Sequence, residues 1–222
     1  MPNPAAETDA DYHTSVSNPA LIEKRRALIV KGAIKLFSEN GYYKTTIQHI
    51  AQEVGFSQGF IYQYFKDKDE LLFFALQVVL RRYLEYIPAQ VSTTRHPIDK
   101  LCATITAFCH IIDENLEATV LAYRSTKSLP SERRSVIQEL EVETNRFFLS
   151  PLSDAIESGL MTEVNRDLLV YQFVYFCHGW ALKSWHHRKL YSLDEYIHEG
   201  LDILVRPYLT QSGREYWEKY YG

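Results

Sequence analysis

Residues 45–72 read TTIQHIAQEVGFSQGFIYQYFKDKDELL. Ile47, Ile50, Ala51 and Val54 fall at i, i+3, i+4 and i+7, the spacing of one helix face. Thr45 and Gln48 have the separation of a capping box, so this helix is predicted to start at Thr45 or Thr46. Gly55 ends it, and Ser57 is the predicted N-cap of a short further helix reaching Phe65. Two short helices across a glycine turn, with the small Ala51 at their crossing, meet the steric demands of a helix-turn-helix. Phe56, Ile61 and Phe65 form the expected inward set; Ser57, Gln58, Phe60, Tyr62, Gln63 and Tyr64 form the outward set.

Upstream, Val30, Ile34 and Phe37 mark one face of a helix over residues 22–39 that Asn40-Gly41 stops. Downstream, the polar break Lys66-Asp67-Lys68-Asp69 offers Asp67 or Asp69 as the cap of a fourth helix, which is expected to end at Ile87, before Pro88. The remainder reads as more helices: 97–115, 116–128, one from a Ser131 cap to Gly159 with a kink at Pro151, one long aromatic helix over 167–189, and 193–209. Residues 211–222 are ambiguous, being polar yet carrying Tyr216, Trp217, Tyr220 and Tyr221. No alternating strand pattern competes and no repeat is present, so the fold class is all-α. The expected organisation is a polar, disordered arm over residues 1–20, a three-helix unit over 21–67 and a helical domain over 68–222.

A net charge of −4 over 222 residues argues by itself against nucleic acid. The distribution argues the other way. Residues 20–70 carry eight bases (Lys24, Arg25, Arg26, Lys31, Lys35, Lys44, Lys66 and Lys68) against six acids, while both flanking stretches are acidic. No apolar run reaches the length of a membrane span, and the N-terminus lacks the basic start and apolar core of a signal peptide. The three cysteines, Cys102, Cys109 and Cys177, fit a reducing cytoplasm better than a disulfide framework. His178, His186 and His187 lack the spacing of a zinc site, and no catalytic motif is found, which disfavours an enzyme.

With Thr46, Ile50, Ala51, Val54, Gly55, Ser57, Gly59, Ile61, Tyr62, Tyr64, Phe65, Lys68, Glu70 and Leu71 in place, and AIKLFSENGYYKTT before them, the sequence resembles the TetR family of transcriptional regulators over residues 22–72. The resemblance implies an N-terminal DNA-binding domain and a C-terminal helical domain for ligand binding and dimerisation. It implies a repressor that holds a near-palindromic DNA operator as a homodimer, with half-sites about 34–36 Å apart or modestly more, and that a hydrophobic small molecule releases. No cofactor, no metal and no membrane partner are expected.

The residues add detail. Gln58 and Gln63 can pair with adenine, and Gly59 lets the backbone approach closely. Phe60 departs from the small hydroxyl residue often found there in the family; its ring could touch a thymine methyl but makes no hydrogen bond. The resemblance places Thr46, Tyr62, Tyr64 and Lys68 near phosphates, with Gln48 at a base or phosphate; Lys24, Arg25 and Arg26 are available to flanking phosphates. A helical interaction module that no longer binds DNA is the competing reading; the intact Gly59, Tyr62, Tyr64 and Lys68 weigh against it.

In the second domain the aromatic helix is expected to be buried on nearly all sides, by its own domain and a partner subunit, with Leu201, Leu204, Val205 and Tyr208 joining that interface. Pocket candidates are Phe108, Tyr123, Phe147, Phe148, Phe176 and Trp180. Arg124 and Lys127, three apart in LAYRSTKSLP and so expected on one helix face, resemble a segment of the acyl-CoA-responsive branch of the family, where bases near the pocket mouth meet coenzyme A phosphates. The implied effector is an acyl-CoA, with a lipid acid or hydrophobic drug as alternatives.

Overall fold

A computed structural model describes residues 19–221. The expected arm over residues 1–20 lies almost wholly outside them, and Pro19 and Ala20 already belong to the first helix. The chain divides into two compact units, one up to Ala75 and one from Leu76, a division that falls later than residue 67 and inside a helix.

In the first unit, α1 (Pro19–Asn40) buries Ile29, Val30, Ala33, Leu36 and Phe37. Gly32 leaves room there for Val54 of α2 (Ile47–Val54). Gly41, at φ 82, and Gly55, at φ 74, hold the left-handed turns after these two helices, which a side chain would strain. The cap of α2 is Thr46: its hydroxyl accepts from His49 N, and the His49 ring accepts from Thr46 N, a capping box closed by His49 and not by Gln48. Thr45 is fully buried, its single hydroxyl proton shared between the carbonyls of Leu36 (3.1 Å) and Gly41 (2.9 Å). The next helix, α3 (Gln58–Tyr62), starts at Ser57 as expected but stops three residues short of Phe65. Asp67 caps α4 (Lys68–Val91), accepting from Glu70 N. This helix runs past Ile87 and contains Pro88; a proline inside a helix forfeits one hydrogen bond and need not end it.

The second unit is helix on helix. Its centre is α5 (Pro97–Glu114), which packs against α7 (Ser131–Glu157), α8 (Arg166–Leu182) and α10 (Leu193–Leu204). Pro97 opens α5 because its missing N–H costs nothing in a first turn. Following α5, α6 (Leu116–Ser125) lies on α8 and ends in a 3₁₀ turn over Thr126–Ser128. Ser131 is the first residue of α7, not its cap, and the helix is continuous through Pro151. The expected single helix over 167–189 is two: α8 breaks at Lys183 and α9 (Ser184–Leu190) follows, bringing Arg188 onto Asp113 of α5. No glycine or proline marks that break. The stretch after Val205 is a 3₁₀ turn, and the ambiguous C-terminus is a helix, α11 (Gln211–Tyr220). Tyr216 and Tyr221 donate to the two oxygens of Asp99, fastening the C-terminal end to α5. Among the described residues the sole strand-like pairing is the bridge between Met161 and Leu209.

Candidate nucleic-acid interface

Five residues are too few for a helix to hold itself, so α3 is shaped by its neighbours. Ser57 accepts from Phe60 N (3.1 Å) and satisfies an amide of the first turn. Ile61 is fully buried and Phe65 nearly so, which turns Gln58, Gly59, Tyr62 and Gln63 to solvent. Thr46 and Gln48 are exposed at the start of α2, and the Thr46 hydroxyl, acceptor from His49 N, keeps its proton to donate. These residues, with Ser57, form a polar surface of hydroxyls and amides.

Phe60 is not part of that surface. Only 8% exposed, its ring lies 4.4 Å from Phe56 and 5.1 Å from Tyr64, and the Arg25 guanidinium sits 5.3 Å above it. The expectation of an outward thymine contact is corrected: Phe56, Phe60 and Tyr64 recur every four residues and pack ring against tilted ring. That spacing was visible in the sequence. Tyr64 is half-buried, its hydroxyl accepting from Arg25 (3.5 Å).

Lys68 is more engaged than a free phosphate ligand. Its ammonium donates to the carbonyls of Tyr42 and Thr45, each at 3.0 Å, and lies 4.3 Å from the Tyr42 ring centre. Two of its three protons are thereby used to tie α4 to the loop before α2, leaving one proton and the charge.

In the second unit the expected pocket residues fall into two groups. Phe108 and Phe148, both fully buried, pack 4.9 Å apart, and Phe108 continues to Tyr83 and to His178. The Tyr123 hydroxyl shares a 2.8 Å hydrogen bond with His178 Nδ1. Burial pushes the His178 pKa down to about 4 and, with the charge of Glu141 and the Tyr175 ring beside it, that of Tyr123 up to about 12. Phe176 and Trp180 instead gather on Tyr196, at 4.4 and 5.0 Å. Trp180 donates to Asp113 (2.7 Å). Burial would raise the Asp113 carboxyl, yet the hydrogen bonds from Trp180 and Arg188 and the Arg188 charge hold it below its ordinary value. Phe147 is half-buried. Arg124 and Lys127 are both exposed but do not share a helix, since α6 ends at Ser125 and Lys127 lies in the 3₁₀ turn. A cleft of about 390 Å³ opens elsewhere, lined by Asp202, Arg206, Pro207, Arg214, Trp217 and Glu218, none of them an expected ligand contact. His178 and Asp113 were missed as polar partners of the aromatic residues; nothing local in the sequence pairs them with residues 55 and 67 positions away.

This architecture defines a helix-turn-helix protein with a separate all-helical second unit. The family of bacterial regulatory proteins described as tetR matches residues 29–74, and the tetracyclin repressor-like C-terminal domain matches residues 94–189. The chain is 48% identical over 199 residues to the HTH-type transcriptional regulator HbdR of Aromatoleum sp. (strain CIB), covering 90% of this chain and 87% of that protein. The chain belongs to the TetR family: it is a transcriptional regulator and not an enzyme. Its fold is shared with PfmR, a TetR family regulator from Thermus thermophilus (TM-score 0.72, 23% identity, 80% of this chain and 97% of that one). It is shared also with AibR in complex with isovaleryl coenzyme A and operator DNA (TM-score 0.73, 19% identity, 81% of this chain and 97% of that one). Regulators of this family bind operator DNA and small-molecule effectors. Among the described residues no helix is long and apolar enough to cross a membrane.

Proposed function

We propose that the chain is a cytoplasmic homodimeric repressor that sets α3 of each subunit in a major groove of a near-palindromic operator and leaves the DNA when a hydrophobic acyl-CoA enters its second unit. The observation that carries the DNA reading is the exposed surface of Gln58, Gly59, Tyr62 and Gln63 on a helix capped by Ser57 and backed by buried Ile61. Gln58 and Gln63 read base edges there. Thr46, Gln48, Ser57, Tyr62, Tyr64 and the remaining proton of Lys68 hold phosphates and fix register.

Support for the dimer comes from α8. Leu168, Tyr171, Tyr175 and Leu182 lie uncovered on one stripe, at 60, 40, 56 and 37% exposure, with spacings of three, four and seven. Such a stripe suits a second copy of the same helix. Of the residues expected beside it on α10 and after it, Leu201 and Val205 are used in the chain's own core, and Ile203 faces outward instead.

Support for the effector is the buried ring pair Phe108 and Phe148, with Tyr123 and the bases Arg124 and Lys127 exposed on α6 and the turn after it, and the fold shared with AibR, which was solved with isovaleryl coenzyme A. The test is selection of duplexes from random DNA by the full-length chain, then fluorescence anisotropy on the recovered operator with a long-chain acyl-CoA and its free acid titrated separately. Release by the thioester alone supports the full reading. Release by neither removes the acyl-CoA and leaves the regulator. No enriched sequence removes operator binding.

A further inference from the structure

The first unit holds an arrangement that operator binding alone does not call for. Phe56, Phe60 and Tyr64 form a run of tilted rings with centroids 4.4 and 5.1 Å apart, and Arg25 of α1 lies over the middle ring at 5.3 Å while donating to the Tyr64 hydroxyl at 3.5 Å. The next residue, Arg26, lies over Phe65 (5.2 Å) and Phe74 (4.5 Å). Both arginines are half-buried, whereas Lys24 is exposed. Two of the three cations that the sequence offers to flanking phosphates are thus turned onto rings in and beside the helix-turn-helix.

We propose that Arg25 is a positioning residue for base reading: clamped between the Phe60 ring and the Tyr64 hydroxyl, it fixes the angle of α3 on α1 and with it the register of Gln58 and Gln63 in the groove. The inference rests on the DNA reading above. A five-residue helix takes its orientation from what packs on it. The planar guanidinium supplies a flat face to one ring and a directed donor to the neighbouring hydroxyl, which a lysine ammonium does not reproduce. Phe60 is the other half of the device. Turned inward, it gives up base contact at its own position and serves the residues on either side.

A phosphate contact and a positioning contact behave differently. Loss of a phosphate contact weakens all DNA alike and flattens the salt dependence by about one charge. Loss of a positioning contact lowers the preference for operator over scrambled DNA and leaves the salt dependence intact. The experiment measures affinity of the full chain for the selected operator and for a scrambled duplex of equal length across a salt series. Arg25→Lys keeps the charge that a phosphate would see and removes the planar face; Phe60→Leu keeps every charge and removes the ring. Each is expected to lower the operator-to-scrambled ratio about tenfold, the discrimination of roughly one base contact, with the scrambled affinity and the salt slope unchanged. An unchanged ratio in Arg25→Lys overturns the proposal, as does an unchanged ratio in a folded Phe60→Leu. Thermal melting checks folding, and if Phe60→Leu does not fold, Arg25→Lys decides alone. A parent chain that selects no duplex overturns the DNA reading itself and this inference with it, a result distinct from an altered ratio.

Discussion

The Tyr123 hydroxyl and His178 Nδ1, 2.8 Å apart, join α6 to α8 through a ring that burial keeps neutral. The His178 pKa falls from an ordinary 6.5 to about 4 in the folded chain. Between these values the unfolded chain binds the extra proton, so stability falls as pH falls through the window, by at most about 1.4 kcal/mol per pH unit. Glu141, held above the ordinary carboxylate range by burial, acts in the opposite sense: its contribution is present at low pH and lost as pH rises. The His178 effect is isolated by His178→Gln, which can still bond Tyr123. The melting-temperature gap between parent and variant should narrow from about pH 7 to about pH 4.5. A constant gap would show that His178 does not titrate there.

Thr45→Val replaces a buried hydroxyl by a methyl of nearly the same size and leaves the loop between α1 and α2 without its bonds to Leu36 O and Gly41 O. A loss of about 1–3 kcal/mol in stability is expected from denaturant unfolding of the full chain. Thr46→Ala, at the exposed cap, should cost about 1 kcal/mol. If the two substitutions cost the same small amount, the buried bonds to Leu36 and Gly41 contribute nothing special.

Helix positions and the helix-turn-helix were legible because they depend on local order: i+3 and i+4 apolar spacing, Gly41, Gly55, Ser57 and Pro97 each act within a turn of themselves. What escaped was decided at a distance. Phe60 faces inward because Arg25, thirty-five positions away, covers it; Lys68 is engaged because the loop carbonyls of Tyr42 and Thr45 reach it. The break at Lys183 carries no breaker residue, and the pull of Asp113 on Arg188 that accompanies it spans 75 positions. Aromaticity marks the pocket candidates, but core packing and ligand contact share it, so sequence does not separate Phe108 and Trp180 from the core.

Leu168 and Tyr171 stand on the uncovered stripe of α8, outside the buried core, with the Tyr171 ring 6.0 Å from that of Tyr175 on the same helix. Replacing both by Glu should leave the melting of an isolated subunit within about 0.5 kcal/mol of the parent while setting like charges against each other across a two-fold contact. Sedimentation of the parent at micromolar concentration is expected to show a dimer, and of the double variant a monomer with greatly weakened operator binding. A variant that remains dimeric places the subunit contact on another surface.

Gly32 lies where α1 crosses α2, and a Cβ there would run into Cγ1 of Val54. Alanine gains about 1 kcal/mol of helix propensity over glycine in an exposed helix. Here the neighbour is a β-branched side chain with one preferred rotamer, so Val54 cannot swing away and the two helices must part. Overpacking of this kind costs about 1–3 kcal/mol, which exceeds the propensity gain. Gly32→Ala should therefore lower the stability of the full chain and weaken operator binding, because α2 carries the Thr46 cap and packs on α3. Gly32→Ala combined with Val54→Ala removes the colliding methyls and should recover part of both losses. Stability raised by Gly32→Ala alone would mean that α1 and α2 have slack at this crossing, and the close approach would then play no part in presenting α3 to DNA.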